Sequence, residues 1–183
     1  MKYFCGLDLS LTGTGIAVLN DNGKIIATDL IKSKKTGDTP LSELKRILDI
    51  RNRIFDSIYK LNIDTTDSDI IYFAIEGLAF LAKGTSLVQL SALNYFIREA
   101  IILDDCQFII VAPTSLKRFA TGKGNSEKDH IILEAYKKYG VDNIDNNIAD
   151  AIFLANIASV MFGKEKPKNK MQEETINLLK KQI

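Results

Sequence analysis

Five short runs of β-forming residues constrain this 183-residue chain more than any other feature, because of how they are separated. The first, KYFCGLDL at 2–9, is followed by a turn-like SLTGTG and then GIAVL at 15–19. Asn20-Asp21-Asn22-Gly23 is a hairpin signature, and KIIATDLI at 24–31 alternates as a third strand. The chain therefore opens as a three-stranded antiparallel meander. IIYFAI at 70–75 and QFIIVA at 107–112, the latter stopped by Pro113, are continuous apolar runs of the kind found in strands covered on both faces. Helix-length segments lie between and after them. Leu44, Ile47, Leu48, Ile50, Ile54, Phe55, Ile58 and Leu61 recur at helical spacing and predict a helix over 41–61. A largely apolar helix is expected over 86–103, and a short one capped by Thr114 or Ser115. Others are expected from Ser126 to near Gly140, over 146–162, and as a weak amphipathic tail at 171–182. The order predicts an α/β fold: a mixed sheet of three antiparallel strands then parallel strands, with helices on both faces. One domain is expected over 1–163, with KEKPKNK at 164–170 as a basic linker opening a 164–183 tail.

Lys and Arg total 24 against 23 Asp and Glu, a net charge of +1. That balance excludes a generally basic nucleic-acid binder, so any polyanion site must come from local segregation of charge. No apolar run reaches the roughly 18 residues of a membrane span. Asp8 and the lack of a small-residue cleavage pattern argue against a signal peptide. Cys5 and Cys106 sit in apolar runs and read as buried strand thiols in a reducing, cytoplasmic compartment. With the lone His130 they do not make a zinc spacing.

Three acids occupy positions where a core should be apolar. Asp8 lies between Leu7 and Leu9, Glu76 ends IIYFAI, and Asp150 sits in NNIADAIFLANIASV, apolar almost all round. Taken singly, Asp8 could cap a turn, Glu76 could mark a solvated strand end, and Asp150 could pair with a lysine. Taken together, Asp8 and Glu76 fall at or near the carboxyl ends of two apolar strands, where sheets present ligands. Ala149 and Ala151 let the helix of Asp150 approach the sheet, and Asn147 shares its face. No Lys or Arg lies between Gly140 and Gly163 to neutralise Asp150. Converging carboxylates of this kind repel one another. Magnesium or manganese, hard cations that take oxygen ligands, is the natural compensation. A pair of such ions serves in-line phosphodiester cleavage without a histidine.

The segment 112–139 holds six cations (Lys117, Arg118, Lys123, Lys128, Lys137, Lys138) against Glu127, Asp129 and Glu134. Its TGKGN loop at 121–125 joins two helices, so glycines and helix-start amides could approach a phosphate. A solvated helix pair with a flexible joint is the competing reading. No Gly-Lys-Ser or Gly-Lys-Thr is present, which excludes a Walker loop.

GLDLSLTGTGIAVL at 6–19, AIEGLAF at 74–80, PTSLKRFATGKGNSEKDHI at 113–131 and NNIADAIFLA at 146–155 together resemble the RuvC family of Holliday junction resolvases, in the RNase H-like superfamily. The third motif is the most specific. The resemblance implies a homodimeric, magnesium-dependent endonuclease, manganese substituting, that nicks two strands of a four-way DNA junction. It implies Asp8, Glu76 and Asp150 as three of four metal-binding acids around two ions. The fourth position, usually Asp or His, is Asn147, whose amide can ligate without charge. Lys117 and Lys128 match lysines at the scissile phosphate, with Arg118 and Lys123 in the same DNA-binding segment. Phe80 is the nearest candidate for an aromatic that stacks on an unpaired base. The family dimerises through the helix here at 86–103, apolar at Leu87, Leu90, Leu93, Phe96, Ile97 and Ile101.

Three rivals stand beside a junction resolvase. One is an RNase H-like nuclease of broader branched-DNA or RNA-containing substrates. Another is a non-catalytic junction-binding protein, which Asn147 makes conceivable. An actin-like phosphotransferase opens with a similar Asp-turn-Gly strand pair but normally needs two such domains.

Overall fold

The computed structural model describes residues 1–61, 69–78 and 84–183. Five strands, β1 (Lys2–Asp8), β2 (Gly13–Asn20), β3 (Ile25–Lys32), β4 (Ile70–Glu76) and β5 (Gln107–Val111), form one sheet in the order β3-β2-β1-β4-β5. β2 runs antiparallel to both β1 and β3, whereas β1, β4 and β5 are mutually parallel. This is the expected mixed sheet. At the β2–β3 turn the Asn20 side chain accepts from the amides of Asn22 and Lys24, at 3.1 and 3.0 Å, and Gly23 takes a left-handed φ of 71°.

Side chains alternate across the sheet and divide the core in two. Cys5, Leu7, Ile16, Val18, Ile71, Phe73 and Ile75 meet α1 (Pro40–Tyr59) and α2 (Thr85–Leu103). Phe4, Ala17, Leu19, Ala74, Ile109 and Val111 face the other way. There they meet α3 (Pro113–Thr121), α4 (Lys128–Tyr139), α5 (Asn146–Phe162) and α6 (Lys170–Leu179). α5 lies directly on the sheet because two strand residues have no side chain. A Cβ at Gly6 would stand 1.9 Å from the Ala151 carbonyl oxygen, and one at Gly15 2.1 Å from that of Asn147.

Several boundaries differ from expectation for local reasons. α3 starts on Pro113 itself, whose missing N–H costs nothing at the first helical position, so neither Thr114 nor Ser115 caps it. α4 begins at Lys128 because the Ser126 hydroxyl bonds back to the Lys123 carbonyl at 3.0 Å instead of capping a helix. Cys106 precedes β5 and is only half-buried, its thiol donating to the Asp104 carbonyl at 3.4 Å; Cys5 is buried as expected. Both thiols are free.

Residues 170–182 are packed. Ile176 and Leu179 enter the α5 side of the core, and the Gln172 amide donates to the Phe119 carbonyl at 3.2 Å. A 3₁₀ turn over Lys180–Gln182 follows. There the Gln182 side chain accepts from Ile110 N–H at 3.0 Å and donates to Ile110 C=O at 2.8 Å, like a neighbouring strand on the open edge of β5. Among the described residues no helix is long and apolar enough to cross a membrane.

Candidate active site at the carboxyl ends of β1 and β4

Register brings the first two acids together. Leu7 of β1 is level with Ile75 of β4, so Asp8 and Glu76 are the next residues out on adjacent parallel strands. Both alternate onto the α5 face, with Phe4 and Ala74 respectively. α5 runs across that face and contributes Asp150 one turn after Asn147, which packs over Gly13 and Gly15. The turn after Asp8 is held by Thr14, fully buried, whose hydroxyl donates to the Ser10 carbonyl at 2.9 Å and accepts from Ser10 N–H at 3.1 Å.

The electrostatics follow from this crowding. Asp8 is 7% exposed, and its carboxyl hydrogen-bonds to that of Glu76. Burial first, and then the charge of Glu76, push Asp8 up to about 8, with Lys128 opposing and Asp145 adding. Burial first, and then Asp8, push Asp150 up to about 7 against Lys128 and Lys117. Glu76 is raised as well, mainly by burial; the hydrogen bond from Asp8 and both lysines pull the other way. Burial and mutual repulsion thus both favour the protonated form of these carboxyls.

The same groups can accept a divalent ion. Among the described residues no three His, Cys, Asp or Glu side chains stand as a finished metal cage. Yet the donor set is all oxygen, and Asp150 Oδ1 is buried without a hydrogen-bond partner. Such an atom is costly unless something positive meets it. The residues present therefore fit a hard divalent cation.

The other candidates divide. Lys117, half-buried on α3, and Lys128, exposed at the start of α4, both act on the acids. Arg118 turns away and pairs with Glu174 of α6 at 3.1 Å. Lys123 is exposed in the glycine loop and lines a separate groove of about 550 Å³ with Asn125, Glu127, His130 and Lys137. Gly122 is there because α3 ends in a left-handed turn, φ 82°, and a Cβ on Gly124 would stand 3.3 Å from the Thr114 carbonyl. Phe80 lies outside the described residues.

Four further residues shape the site: Asp145, which the sequence places off the helical face of Asn147 and Asp150, and Asn94, Gly6 and Gly15, to which the sequence reading gave no role of their own. Asp145 caps α5 by accepting from Ile148 N–H at 3.0 Å, and its charge reaches Asp8. Asn94, buried on α2, donates to the Glu76 carbonyl at 3.5 Å; a polar residue at a core position of an apolar helix was its only signal. Gly6 and Gly15 let α5 down onto the sheet. Their signal was glycine inside a strand.

No family model matches the sequence, and no curated protein matches it. Solved structures do. RuvC of Thermus thermophilus superposes with a TM-score of 0.68 at 16% identity, covering 90% of this chain and 99% of that one. The T. thermophilus RuvC complex with a Holliday junction substrate gives 0.67 at 14% identity, over 91% and 99%. The yeast mitochondrial Holliday junction resolvase Ydc2 gives 0.53 at 12% identity, over 97% and 80%. At such identities the likeness is one of fold, and the chain has the RNase H-like fold of the RuvC resolvases.

Proposed function

We propose that this chain is a crossover junction endodeoxyribonuclease that resolves Holliday junctions by metal-dependent, paired nicking. The observation that carries the proposal is the crowding of Asp8, Glu76 and Asp150 at one end of the sheet, opposed by Lys117 and Lys128. Asp8, Glu76 and Asp150 would hold two magnesium or manganese ions, with the neutral amide of Asn147 as a fourth donor. Ions held by these residues would supply charge for the attacking water and the leaving 3′ oxygen. The chain's own part is electrostatic and positional. Lys117 and Lys128 hold the scissile phosphate by charge, and Lys123 meets the backbone further along. Asn94 fixes the end of β4 through the Glu76 carbonyl. The β1–β2 turn is held through Thr14, which keeps Asp8 in place.

A homodimer belongs to the proposal, because two sites related by a twofold axis match a twofold substrate. α2 is the surface for it. Leu93, Ile97 and Ile101 are spent on the domain's own core, but Val88, Tyr95 and Ile102 recur every seven residues and are each at least 63% exposed. The cytoplasm, where the free thiols stay reduced, is the proposed compartment.

The test is nicking of a synthetic four-way junction against linear duplex, with and without magnesium or manganese. Symmetric nicks only on the junction and only with metal are expected. Equal cutting of flaps, forks or RNA-containing duplexes would point to the broader nuclease. Binding in EDTA without nicks on metal addition would point to a junction-binding protein, the outcome an uncharged Asn147 favours.

A further inference from the structure

The segment 32–53 carries seven Lys and Arg against three acids, leaving 17 bases and 20 acids in the rest of the chain. This is a larger local excess of positive charge than that of 112–139, and no residue in it belongs to the site described above. The exit of β3 and the first half of α1 fold it into one groove of about 360 Å³. Lys32, Lys34, Lys45, Arg46 and Arg53 line it, with Asp49 the one acid among the lining residues. Asp49 is taken by Arg53 at 3.5 Å. Among the described residues Lys32, Lys34 and Lys45 make no salt bridge.

Arg46 ties this groove to the acidic site. Its guanidinium donates to the Ser33 hydroxyl at 3.2 Å and to the Leu11 carbonyl, in the turn that follows Asp8. Ser33 N–H donates to the Thr12 carbonyl of the same turn at 3.1 Å. The turn is therefore a wall shared by the carboxylates on one side and the cations on the other. Register gives the separation. Asp8 is level with Gly15 and Gly15 with Leu30, while Lys32 pairs with Gly13 two residues further out. Two strand spacings of about 4.8 Å and two residues of about 3.3 Å put Lys32 about 12 Å from Asp8. That is about three to four nucleotide steps at about 3.4 Å each.

We infer that the β3–α1 groove is a second seat for a nucleic-acid backbone, gripping the duplex arm about three to four nucleotides from the cleaved phosphodiester. The inference rests on the proposed junction activity and adds a contact surface to it. Lys34 and Lys45 meet phosphates as mobile charges, and Arg46 supplies a fixed one with no carboxylate against it. Such contacts carry no sequence information; they set affinity and orientation.

Lys34→Ala with Lys45→Ala tests it. Both side chains are exposed, so the fold should survive, which a thermal melt checks. Junction affinity is measured by fluorescence anisotropy in EDTA between about 50 and about 200 mM salt. The expected result is binding weakened on the order of tenfold, with a slope of log K against log salt smaller by about 2. Lys180→Ala with Lys181→Ala removes the same charge on the β5 side and should leave the slope unchanged. An unchanged slope in the first variant, or an equal change in both, overturns the groove while leaving the nuclease proposal standing. A parent protein that binds no DNA removes both.

Discussion

A carboxyl buried beside another carboxyl holds a full negative charge only if a cation joins it, and Asp8 is in that position. The folded values of about 8 for Asp8 and about 7 for Asp150 lie above the ordinary 3.8. The metal-free folded protein therefore binds more protons than the unfolded chain from about pH 4 to about pH 8. The stability these groups contribute is complete below that window and is lost as pH rises through about 7 and 8. In EDTA the melting temperature should fall from about pH 4 to about pH 8 and level off above that, and magnesium or manganese should restore it at the upper end. A flat profile would mean the carboxyls are not packed together. Asp8→Asn, Glu76→Gln or Asp150→Asn should each abolish nicking while junction binding in EDTA persists, since none of them supplies phosphate contacts. Asp8→Asn should also raise the metal-free melting temperature at alkaline pH, an unusual result for a buried polar substitution. Asn147→Asp should lower the metal concentration for half-maximal nicking; an unchanged metal titration would show that the amide suffices.

At the scale of elements, most of the fold was legible. Apolar runs, the Asn-Asp-Asn-Gly turn and helical spacing gave five strands and the main helices within a few residues. What failed were ends decided by a single hydrogen bond or ring, as at Ser126 and Pro113. The seat of α5 was half legible. The alanines of the helix were recognised, but Gly6 and Gly15 were read only as part of a motif, because alternation does not say which strand lies under which helix. Their role is testable: Gly6→Ala and Gly15→Ala put a Cβ at 1.9 and 2.1 Å from helix backbone, which cannot yield cheaply. Each should cost about 3 kcal/mol or more in chemical denaturation. Gly124→Ala meets only the Thr114 carbonyl at 3.3 Å and should cost well under half of that, about 1 kcal/mol.

On the scale of the whole molecule, charge and apolar surface are sorted by face. The acids converge at the carboxyl ends of β1 and β4, and the two basic segments flank them from α3–α4 and β3–α1. In the proposed dimer, the exposed stripe of α2 would face a second copy. Tyr95→Glu places a charge at the middle of that stripe and should shift the protein to monomer in sedimentation. The monomer should then nick one strand of a junction without the concerted second nick.

By itself the sequence determined the strand and helix order, the mixed sheet and the three acids, because hydropathy period and misplaced charge are local signals. Only the tertiary structure decided which cations meet those acids. Arg118 sits one residue from Lys117 yet pairs with Glu174, more than fifty positions away, while Lys128 reaches the carboxylates from another helix. It also decided that Gln182 pairs with Ile110 on the edge of β5, and that Arg46 bonds to the turn that follows Asp8. Such pairings depend on strand register and on how close a helix can settle. Both are set by packing between segments distant along the chain, which no window of residues contains.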